Sequence, residues 1–167
     1  MENISFDIKI KEEDLYKFNL HHAYRSSQGI VSILLGVLLL AIWALRLSTL
    51  SMIYKCLYPV FALVIMVYIP MSLKLRVKNQ MTQEVFMHPL HYELTERGLV
   101  ISSPTTDEPA ELPWEYIYKV STWKKYLLIY SNRVNAYIIP KEDIIDVYEP
   151  AVAYIKNHVE DYKIQIK

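Results

Sequence analysis

Polar and apolar positions change rhythm several times along this chain. In Ile4-Ser5-Phe6-Asp7-Ile8-Lys9-Ile10-Lys11 they alternate strictly, which predicts a strand with one buried face. Residues Glu12 to Ser26 read as a helix, with Leu15, Phe18, Leu20 and Tyr24 available for packing. Two apolar runs follow, Gly29 to Leu45 and Cys56 to Leu73, uncharged and separated by only ten residues. At 1.5 Å per residue they span roughly 26 Å and about 27 Å, close to a ~30 Å hydrocarbon core. Both are apolar all round, and a 167-residue chain has little protein with which to wrap two such helices. The pattern predicts a transmembrane helical hairpin, with spans at about 29–46 and 54–73. Gly36 and Pro59 are tolerated inside spans, and Trp43, Tyr54, Tyr58 and Tyr68 lie toward ends where aromatic rings meet headgroups.

Beyond the second run the rhythm shortens. His91 to Thr95 and Leu99 to Ser102 flank Glu96-Arg97-Gly98, whose glycine can supply a positive φ, so a hairpin is expected. Polar Ser103 to Ala110 reads as a loop. Tyr116 to Trp123, Tyr126 to Ser131 and Val134 to Ile139 are β-branched and aromatic, separated by Lys124-Lys125 and Asn132-Arg133, and predict a meander. Ile144, Tyr148, Val152, Ile155, Val159 and Tyr162 then recur at helical spacing, with Pro150 predicting a kink or a restart near Glu149. The fold class expected is α+β: the hairpin plus an antiparallel curved sheet or half-barrel with a C-terminal amphipathic helix. The chain divides as strand and membrane-approach helix (1–27), hairpin (28–75) and domain (79–167). An isolated strand is unstable, so Ile4 to Ile10 is expected to dock on the C-terminal sheet.

Charge orients this arrangement. Lys17, Arg25, Lys74, Arg76 and Lys78 flank the outer ends of the two runs, against Arg46 and Lys55 in the connecting turn. The positive-inside rule therefore places both termini in the cytoplasm of a multi-pass plasma-membrane protein. The acidic leader before the first run is unlike a signal peptide, so that run is expected to stay in the chain. The whole chain has 18 Lys and Arg against 18 Asp and Glu, and no basic excess points to nucleic acid. Its one cysteine, Cys56, lies in a predicted span, where it forms no intramolecular disulfide.

Leu112-Pro113-Trp114-Glu115-Tyr116-Ile117-Tyr118-Lys119-Val120, then Tyr126-Leu127-Leu128-Ile129-Tyr130, then Ala136-Tyr137-Ile138-Ile139-Pro140-Lys141 before a helix, resembles the YcxB-like proteins of bacteria. The resemblance implies an N-terminal strand and helix, two spans and a cytoplasmic domain similar to pleckstrin-homology folds. It implies no catalytic or ligand-binding residues.

Chemical motifs are sparse. His88, His91 and Glu93 lack a recognised metal-ligand spacing. Three glycines and no Gly-x-Ser-x-Gly argue against a phosphate loop or a nucleophile elbow, and neither run holds an ionisable group for transport. No cofactor or metal is expected. The candidate contact residues are Trp123, Lys124, Lys125 and Tyr126, an aromatic and basic hairpin tip, with Lys74, Arg76 and Lys78 beside the second span. The function expected is a non-enzymatic membrane protein with a cytoplasmic binding or regulatory domain, one version being envelope stress or antimicrobial-peptide protection. The alternative is a membrane enzyme acting on lipid or peptide. Partners expected are the lipid bilayer and a cytoplasmic protein, with self-association left open.

Overall fold

In the computed structural model, which describes residues 3–166, the alternating start of the chain forms β1 (Ile4–Ile8). It pairs antiparallel with β2 (Leu90–Leu94), placing Phe6 opposite Tyr92 and Ile8 opposite Leu90. The inward alternation puts Phe6 and Ile8 into the same core as Tyr92 and Leu94, and the Phe6 and Tyr92 rings stack at 5.7 Å. The chain accordingly divides into two units, Met1–Asp14 with Gln80–Lys167, and Leu15–Asn79. The outermost domain limits, residues 1, 2 and 167, lie outside the described residues.

The first helix, α1 (Glu12–Arg25), carries Glu12, Glu13 and Asp14 in its first turn and His22 and Arg25 in its last, each sign at the favourable end of the helix dipole. Ser26 separates it from α2 (Ser27–Arg46): its hydroxyl donates to the Ala23 carbonyl at 2.6 Å and accepts from the Gly29 N–H at 3.2 Å. That is an N-cap in its usual role. The next helix, α3, runs from Met52 to Met81. With 20 and 30 residues, α2 and α3 are two helices long and apolar enough to cross a membrane. Gly36 lies at their contact, where a Cβ would come 2.9 Å from Met66 Cγ.

Pro59 and Pro70 lie inside α3. A proline lacks the N–H that would bond the carbonyl four residues back, so Pro59 frees the carbonyl of Lys55. The Trp43 indole fills that vacancy, donating to the Lys55 oxygen at 2.8 Å. Trp43, expected to serve as a headgroup-level aromatic, links the two helices of the hairpin through this bond.

A four-residue helix, α4 (Glu84–Met87), leads into β2. The first sheet has the order β1-β2-β3-β4, completed by β3 (Gly98–Ser103) and β4 (Thr106–Pro113). Polar Ser103 to Ala110, expected to be a loop, is mostly strand. Pro109 is compatible with that because β4 is an edge and the β3–β4 register shifts between Ile101 and Ser103. Gly98 does not take a positive φ. It is glycine because a Cβ there would lie 2.3 Å from the Leu112 carbonyl oxygen.

A 3-10 turn, Trp114–Tyr116, leads to the second sheet, β5 (Lys119–Trp123), β6 (Tyr126–Tyr130) and β7 (Ala136–Pro140). The helix α5 (Tyr148–His158) starts at Tyr148, so Pro150 falls in its first turn, where its missing N–H costs nothing. The restart occurs and the kink does not. After the 3-10 turns Trp114–Tyr116 and Lys141–Ile144, a third, Asp161–Lys163, precedes β8 (Ile164–Gln165), which pairs parallel to β5 and gives the order β7-β6-β5-β8. The expected single antiparallel sheet is thus two four-stranded sheets, one with a parallel edge, and no closed barrel forms among the described residues. Apolar side chains of both sheets and of α5 share one core, which includes Leu99, Ile117, Val120, Ile129, Val152 and Ile155.

Candidate functional site

The β5–β6 turn presents the predicted tip. Trp123 and Tyr126 pair across it, leaving Lys124 and Lys125 as the two-residue loop. Lys124 has φ 52, the one positive φ of a non-glycine residue among those described. A positive φ at the first central position matches the twist of the flanking strands, at a steric cost that glycine would avoid. Lys124 is exposed and its ammonium lies 5.1 Å from the Trp123 ring centroid. Trp123 is half-buried and stacks on Tyr126 at 5.7 Å.

The other two tip residues bond to acids of the same unit. Tyr126 is buried and its hydroxyl donates to Asp14 Oδ1 at 2.5 Å. Burial first, and then that bond to a carboxylate, push the Tyr126 phenol well above the usual tyrosine range. Lys125 Nζ lies 2.7 Å from Glu142 Oε1 and 3.5 Å from Asp14 Oδ1, and Lys11 reaches the same Glu142 oxygen at 3.5 Å. The hydrogen bond from Lys125 holds the Glu142 carboxyl below its ordinary value and raises Lys125 itself. Of the four tip residues, Lys124 and Lys125 are exposed and Trp123 is half-buried; Tyr126, expected as a contact residue, is corrected to a buried one bonded to Asp14.

Lys74, Arg76 and Lys78 are all exposed on the last turns of α3. At 100° per residue Lys74 and Lys78 share a face and Arg76 points the other way, so the three encircle the helix rather than forming one patch. At about 1.5 Å per residue α3 is ~45 Å long, more than a ~30 Å hydrocarbon core needs, so its basic end projects past an apolar layer of that depth.

The histidine constellation does not converge. His91 Nδ1 meets Asp7 Oδ1 at 2.7 Å across the β1–β2 pair, while Glu93 accepts from the Asn3 amide at 2.9 Å. No group of three His, Cys, Asp or Glu that could hold a metal occurs among the described residues.

Two features escaped the pattern of the sequence. Tyr162, read as part of the apolar helical stripe, is 75% exposed because α5 ends at His158 and the stripe stops with Val159. Formal charge is also divided. Residues 15–79 carry seven of the 18 Lys and Arg and none of the 18 Asp and Glu, so that unit has charge +7 and the rest of the chain −7. The neutral total conceals the division, which the sequence carries as a stretch without acids between Asp14 and Glu84.

The architecture is therefore that of an α+β protein with two helices of membrane-spanning length inserted between its first strand and the remaining seven. Comparison with protein families matches residues 94–148 to the family described as YcxB-like protein. That stretch runs from the end of β2 to the start of α5 and contains the Trp114, Tyr126 and Pro140-Lys141 marks, so the similarity to that family covers about a third of the chain. No curated protein matches the sequence.

Proposed function

We propose that this is a multi-pass plasma-membrane protein whose sheet unit is a cytoplasmic, pleckstrin-homology-like binding or regulatory domain without enzymatic activity. The division of charge carries the reading. A unit with two span-grade helices and seven bases without an acid suits a bilayer with anionic headgroups, to which each basic residue near the surface contributes about 1 kcal/mol. Five of those bases flank the outer ends of the two apolar runs, and two lie between the runs, Arg46 at the end of α2 and Lys55 in the first turn of α3, an asymmetry that favours both termini inside. Two sheets sharing one core with a C-terminal helix supply the likeness to pleckstrin-homology folds, and binding is argued from that likeness. Protection against envelope stress or antimicrobial peptides is the specific process proposed.

Affinity capture of the full-length protein from gently solubilised membranes tests the reading, with a reporter fused after Lys167 to test orientation. A discrete partner and a non-exported reporter support it. An exported reporter overturns the topology, and hydrolysis of lipid or peptide by the purified protein replaces the binding role with the enzymatic one.

A further inference from the structure

We infer that the sheet unit carries a docking surface for a lysine- or arginine-rich peptide segment, formed by Tyr116, Tyr118 and Tyr162 with the carboxylates of Glu115, Glu160 and Asp161. The inference rests on the binding-module reading and names its partner. The tyrosines are 65%, 46% and 75% exposed, in a unit whose other large aromatics are largely in the core. They come from two segments held together by Lys163, which donates to the Glu115 carbonyl at 3.1 Å and pairs with Glu160 Oε2 at 3.1 Å. Tyr116 and Tyr162 therefore neighbour the two ends of one contact. The parallel pairing of Val120 with Ile164 sets the segment that carries Tyr162 beside the one that carries Tyr118.

Hydrogen bonding between Tyr162 and Glu160 raises the phenol and lowers the carboxyl, and the Lys163 ammonium lies 5.7 Å from the Tyr162 ring centroid. Tyrosine gives a large contact area at little entropic cost and offers its face to cations. Glu115, Glu160 and Asp161 are exposed around the rings, and Lys163 is already bonded within the surface. At long range the unit carries −7, so a cationic segment is drawn to it and an anionic membrane repels it. Charge complementarity at both ranges selects the same occupant.

The test uses the full-length protein in nanodiscs of zwitterionic lipid. Fluorescence anisotropy follows a labelled peptide of alternating arginine and glycine, and its counterpart with glutamate for arginine. Saturable binding of the arginine peptide alone is expected, weakening as salt screens it. Tyr116→Ala with Tyr162→Ala should reduce affinity about tenfold or more, as loss of aromatic anchors does. Glu84→Gln with Asp146→Asn, which removes two exposed acids elsewhere in the unit, should stay within about twofold of the native protein. If the alanine pair fails to fold, Glu115→Gln with Asp161→Asn reads the same surface through a loss of about threefold. No binding by the native protein, native affinity in the surface variants, or an equal loss in the remote charge control overturns the inference. A discrete partner captured from membranes, without peptide binding, overturns the cationic assignment alone; failure of both experiments removes the binding-module reading as well.

Discussion

Asp14 is 2% exposed, and what it meets decides how Tyr126 and Lys125 behave. Its Oδ1 takes the Tyr126 hydroxyl and faces Lys125, while Oδ2 has no hydrogen-bond partner among the described residues. Tyr126→Phe would leave this buried carboxylate without its phenol donor, at an expected cost of about 1–3 kcal/mol in urea unfolding. Gly98→Ala drives a Cβ against the Leu112 carbonyl, which cannot swing away as a side-chain tip can, and is expected to cost about 1–3 kcal/mol in the same measurement. The Lys125–Glu142 pair sets a pH dependence. Glu142 is held below its ordinary 4.5 in the folded protein, so its contribution is complete above about that pH and fades as pH falls through the lower folded value. An NMR titration should show Glu142 below 4.5 and, in Lys125→Met, moved back up toward it. None of this was legible at the tip, because Trp-Lys-Lys-Tyr reads alike whether its partners are solvent or a carboxylate 112 residues away. Trp114 and Ile117 are buried as well, although they lie in and just after a 3-10 turn rather than in a strand.

At the scale of elements, the α2–α3 hairpin is closed by a compensation. Pro59 removes a helical hydrogen bond and Trp43 from the other helix replaces it. Trp43→Phe should therefore destabilise the hairpin by about 1 kcal/mol, the scale of an interhelical hydrogen bond in a membrane. In a Pro59→Ala background the restored backbone N–H takes the Lys55 carbonyl, and the same Trp43→Phe change should cost almost nothing. Unfolding in mixed micelles gives the four stabilities of that cycle, and equal losses in both backgrounds would refute the compensation. Long elements were readable because their periodicity accumulates over many residues: α1, the two apolar helices, β1 and β6 follow the pattern. Short or edge elements were not. Strand β4 looked like a loop because its Pro and acids suit an exposed edge, and the two residues of β8 carry too little pattern to mark a strand.

For the molecule as a whole, the formal charge of zero is the sum of +7 and −7 on separate units, which pull in different directions. Reversing Lys74→Glu and Lys78→Glu removes two of the five bases on which the proposed orientation rests, leaving three against Arg46 and Lys55. A reporter after Lys167 should then show a mixed population. A uniform non-exported reporter would mean that packing, rather than these charges, sets the topology.

The sequence by itself determined the two apolar helices, the strand that precedes them and the YcxB-like stretch, because hydrophobic periodicity and length are local properties that any surrounding must accommodate. Only the tertiary structure decided that there are two sheets, that Tyr126 and Lys125 face Asp14 and Glu142, that Trp43 serves Lys55, and that Tyr116, Tyr118 and Tyr162 stand exposed. Each depends on a partner distant along the chain or on where an element stops. Burial and hydrogen-bond satisfaction are properties of pairs, and pairs exist only once the chain has closed on itself.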